Sequence, residues 1–323
     1  MKLLTAVFLA GGVALFAWLI ARQGLTDVLD AAAAAGWGIL AIALFHIVPL
    51  TLDAVAWRRL LKHEWRLSLA AAIRIRWLGE SVNGLLPAAQ IVSELVRVRL
   101  AVLSGIPGSV AGAVVTVDLT LGVFSQVIFT LSGLLILYAL GIGGSVVLVV
   151  GPVAFAVLFV LFLAFQKAGM FGRITKLIGR SNDGSTWLKV IAGADALDAE
   201  IKALYRRRGA VFSSLIWKLG SWTIGAGEVW LGLYFLGHPV TVLEAFVLES
   251  LTQAVRSAAF IVPGGLGVQE GGFVLIGTTI GIAPETALAM SLLKRVRELA
   301  VGIPALILWK MIEGRRLLRR RQA

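Results

Sequence analysis

Residues 67–100 read LSLAAAIRIRWLGESVNGLLPAAQIVSELVRVRL. Apolar residues dominate, yet Arg74, Arg76, Glu80, Asn83, Gln90, Glu94, Arg97 and Arg99 are spread through the stretch. A simple lipid-facing span would not tolerate them, because each charge inside the hydrocarbon costs roughly 2.5–3.5 kcal/mol on insertion scales. Broken backbone at membrane depth occurs only where protein or a water-filled cavity surrounds it. The stretch therefore reads as two half-helices meeting near Leu86-Pro87, a re-entrant pair that returns to the side it left.

The rest of the chain supports a membrane setting. Of its 323 residues, 59% are hydrophobic and 15% charged, with a mean hydropathy of +0.91. Soluble domains carry roughly 45–50% apolar and about 25% charged residues, so a soluble globular or disordered chain is excluded. Thirty Lys/Arg against 18 Asp/Glu leave a formal charge of +12. On so apolar a chain this excess marks a membrane face and contact with anionic lipid, not nucleic acid. The absence of cysteine removes disulfides, thiolate metal sites and a Cys nucleophile. His46, His63 and His238 lie far apart in sequence, which argues against a His-based metal site. No cofactor is expected.

A span needs roughly 20 apolar residues. Residues 3–20 qualify and read as a retained helix rather than a signal peptide. Residues 38–57 qualify too, carry His46, Pro49 and Asp53, and end in the basic run Arg58, Arg59, Lys62, Arg66. Residues 109–140, with Asp118 in their first half, are too long for one upright span; 141–144 is a tight turn and 145–165 spans back. The segment 166–209 is polar, with nine Lys/Arg against four acids. Its apolar Leu188, Ile191, Leu197, Ile201 and Leu204 are spaced as in an interfacial helix. Residues 210–236 and 241–262 form a helical pair around Gly237-His238-Pro239, and 273–282 and 285–312 follow a Gly-rich interruption at 263–272. A basic tail, 313–323, closes the chain. The expected fold is all-α: a polytopic integral membrane helix bundle with re-entrant or broken helices, one domain over 1–323 and about eight spans. The basic runs place 58–66, 167–208 and the tail on the cytoplasmic side, with both termini cytoplasmic and the protein in an inner (plasma) membrane. Trp37, Trp57, Trp187 and Trp309 fall near the expected boundaries, as interfacial anchors do.

Charges away from span ends are the candidate functional residues. Glu94 and Arg97 are three apart and share a helix face, as do Glu249, Gln253 and Arg256. Glu228 and Asp118 sit mid-segment, and Lys294, Arg295, Arg297 and Glu298 lie in the last span. Such residues either pair internally to hold the bundle or line a polar cavity. Residues 263–272 read PGGLGVQEGG. Pro263, Gly264, Gly265, Gly267 and Glu270 suggest a broken helix whose free amides meet an anionic group; a tight packing turn is the alternative. No nucleotide-binding loop is present. An echo links this motif to the first: Pro87 precedes Glu94 by seven residues, and Pro263 precedes Glu270 by seven, each after upstream arginine. Repeated halves with matching broken helices point to a transporter site at their interface.

These two motifs, Asn83-Gly84-Leu85-Leu86-Pro87 with Glu94 and Arg97, and Pro263–Glu270, resemble the flippase-like family typified by the membrane region of lysylphosphatidylglycerol synthase. The resemblance covers nearly the whole chain. Ser93 stands where that family usually has Gly, and only Asp118 appears where a charged pair is common. The resemblance implies lipid handling without lysyl transfer, because no polar stretch could form an aminoacyl-transferring domain; no enzymatic activity is expected. Residues 49–58, PLTLDAVAWR, resemble a bacterial branch associated with hopanoid biosynthesis loci, which would imply a hopanoid or other polycyclic lipid. The leading expectation is a lipid translocator for anionic phospholipid, glycolipid or hopanoid. Its groove would be lined by Glu94, Arg97, Glu249, Arg256 and Glu270, with Glu94 or Glu270 changing protonation. The alternatives are a non-catalytic membrane partner of lipid-biosynthesis enzymes, or a lipid-modifying membrane enzyme using paired acids.

Overall fold

A computed structural model describes residues 35–85, 89–142, 194–258, 262 and 265–322. The expected spans at 3–20 and 145–165, most of the polar segment before 194, Trp187, Pro87, Pro263 and Gly264 lie outside the described residues. The described chain is helical, and no strand occurs among the described residues.

The first rod consists of α1 (Gly38–Phe45) and α2 (Ile47–Leu60). They part at His46 because Pro49, three residues on, has no amide to donate to Phe45. After a 3-10 turn at His63–Trp65 come α3 (Leu69–Leu85) and α4 (Ala89–Leu103), then α5 (Gly108–Ala139). At 32 residues α5 is about 48 Å long, well beyond a roughly 30 Å hydrocarbon core. The second part of the chain holds α6 (Ala194–Arg206), α7 (Arg208–Phe235), α8 (Val242–Ala258), α9 (Val268–Thr279) and α10 (Pro284–Gln322).

Side-chain contacts fix the direction of each helix. Arg207, just before α7, donates from Nη1 to the Leu60 carbonyl at the end of α2, at 2.8 Å. At the other end Phe235 of α7 lies against Gly38 of α1. The α1–α2 rod and α7 are therefore antiparallel and pack along their lengths. We call the end at Leu60 and Arg207 the basic end. Helix α5 runs away from it: Gly112 meets Leu197 of α6 near the start, and Gly133 meets Ser250 of α8 near the finish. Helix α10 runs toward it, with Met290 against Gly232 of α7 and Gly302 against Ser81 and Leu85 of α3.

Between these long helices sit two hairpins of half-helices. The α3–α4 hairpin leaves the basic end and returns to it; the α8–α9 hairpin leaves the opposite end and returns there. Partnerships are reciprocal. Helix α3 packs on α10 and α8 packs on α5, while α2 neighbours α3 as α7 neighbours α8. The described chain is thus two units of long helix, hairpin and long helix, inverted relative to one another. Two apolar cores match this division. Trp57, Leu60, Ile75, Leu78, Leu100, Ile106 and Val114 join at the basic end. Leu137, Leu233, Leu248, Phe273, Ile276 and Met290 join at the other.

The structure corrects two expectations and extends a third. The Gly-rich interruption is shorter than 263–272: α9 begins at Val268, so Gln269 and Glu270 lie in its first helical turn. The basic tail is a continuation of α10, which runs unbroken to Gln322. Trp57 is no interfacial anchor; it is fully buried, because the last turn of α2 is covered by the α3–α4 hairpin. The polar segment does contain an amphipathic helix, α6, and Trp37 is exposed at the mouth of α1.

Candidate functional site: a buried layer of ion pairs

Between the two cores lies a layer of charged side chains in three groups. The first joins five helices. Arg97 of α4 donates from Nη2 to Asp118 of α5 at 2.5 Å and from Nη1 to Glu94 at 2.7 Å. Lys218 of α7 reaches Asp53 of α2 and Asp118, both at 2.8 Å. Arg76 of α3 pairs with Asp53 and, at 3.2 Å, with Asp118. Gly79 makes room for this group: a Cβ there would stand 2.6 Å from Arg97 Cγ. The three acids and three bases balance, which is what so deep a position requires, since an unpaired charge would retain its desolvation penalty.

The second group sits where α1 meets α2. His46 Nδ1 lies 2.7 Å from Glu228 of α7, and Nε2 lies 3.0 Å from Glu80 of α3. Arg297 of α10 contacts the second oxygen of Glu228 at 3.2 Å and Glu80 at 3.7 Å. The third group ties the second hairpin to α10. Lys294 bridges both oxygens of Glu249, at 2.6 and 2.5 Å. Arg256 donates to Gln269 at 2.6 Å and to Glu298 at 2.9 Å. Arg295 pairs with Glu270 at 2.9 Å and Glu298 at 3.1 Å, and Gln269 donates to Ser291. Gly265, at φ +60°, lies under the Arg256 side chain, and a Cβ would come within 3.1 Å of Arg256 Cγ. Gly267, at φ +74°, turns the chain into α9. Both positions need glycine, one for close approach and one for a left-handed backbone.

The layer is not sealed. The Glu80 side chain is 43% exposed and that of Glu94 24%, and Asn83 on the α3 arm is exposed as well. Glu80 and Glu94 are its most exposed members, and Asn83 lies in the last turn of α3, which ends at Leu85. A separate cavity of about 330 Å³ lies at the basic end, lined by Arg59, His63, Arg66 and Arg207 among others.

Among the residues singled out from sequence, Glu94, Arg97 and Asp118 meet in one group and Glu249, Arg256 and Glu270 in another, while Glu228 joins the group between them. Glu249 and Arg256 share a face of α8 as expected but take different partners on α10. The sequence reading left out Lys218 and Ser291, named Lys294, Arg295, Arg297 and Glu298 as candidate charges without placing them in the groove, and gave no site role to His46, Asp53, Arg76, Glu80 or Gln269. A lone lysine within an apolar stretch was a usable signal for Lys218.

A helical bundle with two long apolar stretches, Gly38–Leu60 and Gly108–Ala139, and an ion-paired interior is that of a membrane protein. The chain belongs to the lysylphosphatidylglycerol synthase TM region family, whose pattern matches residues 3–305. It is also similar to the UPF0104 membrane protein PH1989 of Pyrococcus horikoshii, 24% identical over 290 residues that cover 83% of this chain and 84% of the relative. No solved structure matches the chain.

Proposed function

We propose that this membrane protein moves polar-headed lipids between leaflets, the headgroup passing along the ion-pair layer while the acyl or polycyclic tail stays in the bilayer. The observation that carries this reading is the inverted pair of hairpins with charged groups gathered at mid-bundle. Inverted units with broken helices offer a central site to either side by rocking. The arginines Arg76, Arg97 and Arg256 favour an anionic headgroup, so anionic phospholipid is the first candidate substrate and a hopanoid the second. The basic end faces the cytoplasm, in a plasma or inner membrane that the chain crosses several times, and places both termini there. The protein carries lipid without modifying it, and contact with lipid-biosynthesis enzymes at the basic end would deliver substrate.

Purified protein in vesicles of phosphatidylethanolamine and phosphatidylglycerol, with a trace of headgroup-labelled phosphatidylglycerol, tests this. Label in the inner leaflet should become reachable by an impermeant quencher much faster than in empty vesicles. Rates no faster than in empty vesicles, with phosphatidylglycerol and with hopanoid substrates alike, would sink the reading. A mass change in the lipid would replace it with an enzymatic one.

A further inference from the structure

His46 has a carboxylate against each ring nitrogen: Glu228 Oε1 at 2.7 Å from Nδ1, and Glu80 Oε1 at 3.0 Å from Nε2. A neutral imidazole carries one N–H and so can serve only one of them. Serving both requires the imidazolium. The charge count agrees. Eight acids (Asp53, Glu80, Glu94, Asp118, Glu228, Glu249, Glu270, Glu298) face seven fixed bases (Arg76, Arg97, Lys218, Arg256, Lys294, Arg295, Arg297) across the three groups. A protonated His46 makes the balance complete.

The neighbours also provide for the neutral state. Arg297 Nη1 stands 3.4 Å from His46 Nε2. When Nε2 gives up its proton it becomes an acceptor, and the Arg297 N–H is the donor at hand. His46 Nδ1 still donates to Glu228. Glu80, the most exposed carboxylate of the layer, then loses its imidazole donor. Among the described residues no other charged group faces the imidazole: Glu80 comes from α3, Glu228 from α7 and Arg297 from α10, while Asp118 of α5 is engaged by Arg76, Arg97 and Lys218. Helix α3 is the first arm of the hairpin that opens toward the basic end, so one proton adds or removes a tie between that arm and the α1–α2 junction, beside the Arg76–Asp53 pair that also holds it to α2.

Resting on the translocation reading above, we infer that His46, Glu80, Glu228 and Arg297 form a proton-binding site that couples lipid movement to a proton gradient. One proton binds at Nε2 on the side of the exposed Glu80 and returns to water when the hairpin shifts. The carboxylates expected from sequence to change protonation, Glu94 and Glu270, are each paired with an arginine and lie away from the imidazole.

Two measurements test this. The first labels the three histidines with nitrogen-15 in the full chain in nanodiscs and assigns His46 with His46→Gln. A doubly protonated imidazole at neutral pH is expected, and a neutral ring would overturn the site. The second repeats the vesicle assay across an imposed pH gradient. Wild-type transport should quicken severalfold with the gradient, while His46→Gln should move lipid at one rate whatever the gradient. Glu80→Gln, which leaves the His46–Glu228 contact intact, should lose the dependence in the same way should His46→Gln fold poorly. Wild-type transport indifferent to the gradient overturns the coupling and leaves translocation standing. No wild-type transport at all overturns both.

Discussion

Arg97 ties two acids of the first group together. It spans Asp118 and Glu94 from a position that is 3% exposed, over a glycine that exists to admit it. Removing it leaves Asp118 with Arg76 and Lys218 but strips Glu94 and upsets a six-member balance. Breaking a buried pair by deleting one partner costs roughly 3–5 kcal/mol. Arg97→Ala is therefore expected to lower the thermal midpoint in detergent sharply. Arg97→Met combined with Glu94→Gln should recover a large part of the loss, because that pair leaves no orphaned charge; scanning fluorimetry of the single and double variants checks this. Gly79→Val acts on the same residue from outside. Its side chain would occupy the space of the Arg97 stem, and overpacking of this kind costs about 1–3 kcal/mol. The same assay should show a smaller drop than for Arg97→Ala, together with slowed lipid transport.

At the scale of elements, the two hairpins are seated alike. Gly302 of α10 receives Ser81 and Leu85 of α3, and Gly133 of α5 receives Ser250 and Leu251 of α8. Each seam places a glycine on the long helix of one unit beneath a serine on the hairpin of the other. Gly302→Leu and Gly133→Leu should each wedge a hairpin off its support, lowering thermal midpoints by similar amounts and lipid transport in the vesicle assay. A large loss at one seam and none at the other would mean that the two hairpins are not equivalent. Much of this level was legible in sequence. Proline and a charge-studded apolar stretch announced the first half-helix pair, whereas 241–262 read as the partner of 210–236 and only the break at 263–272 pointed to the second. The pairing was not legible. His46 and Glu228 are 182 positions apart and Arg297 lies on a third element, so no spacing rule joins them. Glu249 and Arg256 show the converse: a shared helix face says that two residues are neighbours, not that they are partners. The Gly-rich break looked longer than it is because Gly271 and Gly272 read as loop residues. Within α9, Gly272 instead lets Thr252 of α8 pack closely, where a Cβ would meet the threonine methyl at 3.1 Å.

For the whole molecule, the net charge of +12 conceals an interior that is close to neutral. The excess sits outside the layer, at Arg58, Arg59, Lys62, Arg66 and Arg206 to Arg208 and along the end of α10. This division follows from solvent. A charge in the bundle must be matched at once, whereas a charge at the headgroups is free to report orientation. The inverted architecture makes a topological demand that can be measured directly, because the chain has no cysteine to interfere. Ser68 and Ser104 flank the first hairpin and are exposed; His238 and Ala283 flank the second and are exposed too. Single cysteines at these four positions should divide two and two. Ser68→Cys and Ser104→Cys should react with an impermeant maleimide only after cells are opened, while His238→Cys and Ala283→Cys should react in intact cells. If Ser68→Cys and Ser104→Cys react from opposite sides, the first hairpin crosses the membrane, the two units are no longer inverted copies, and a central site with alternating access loses its structural basis.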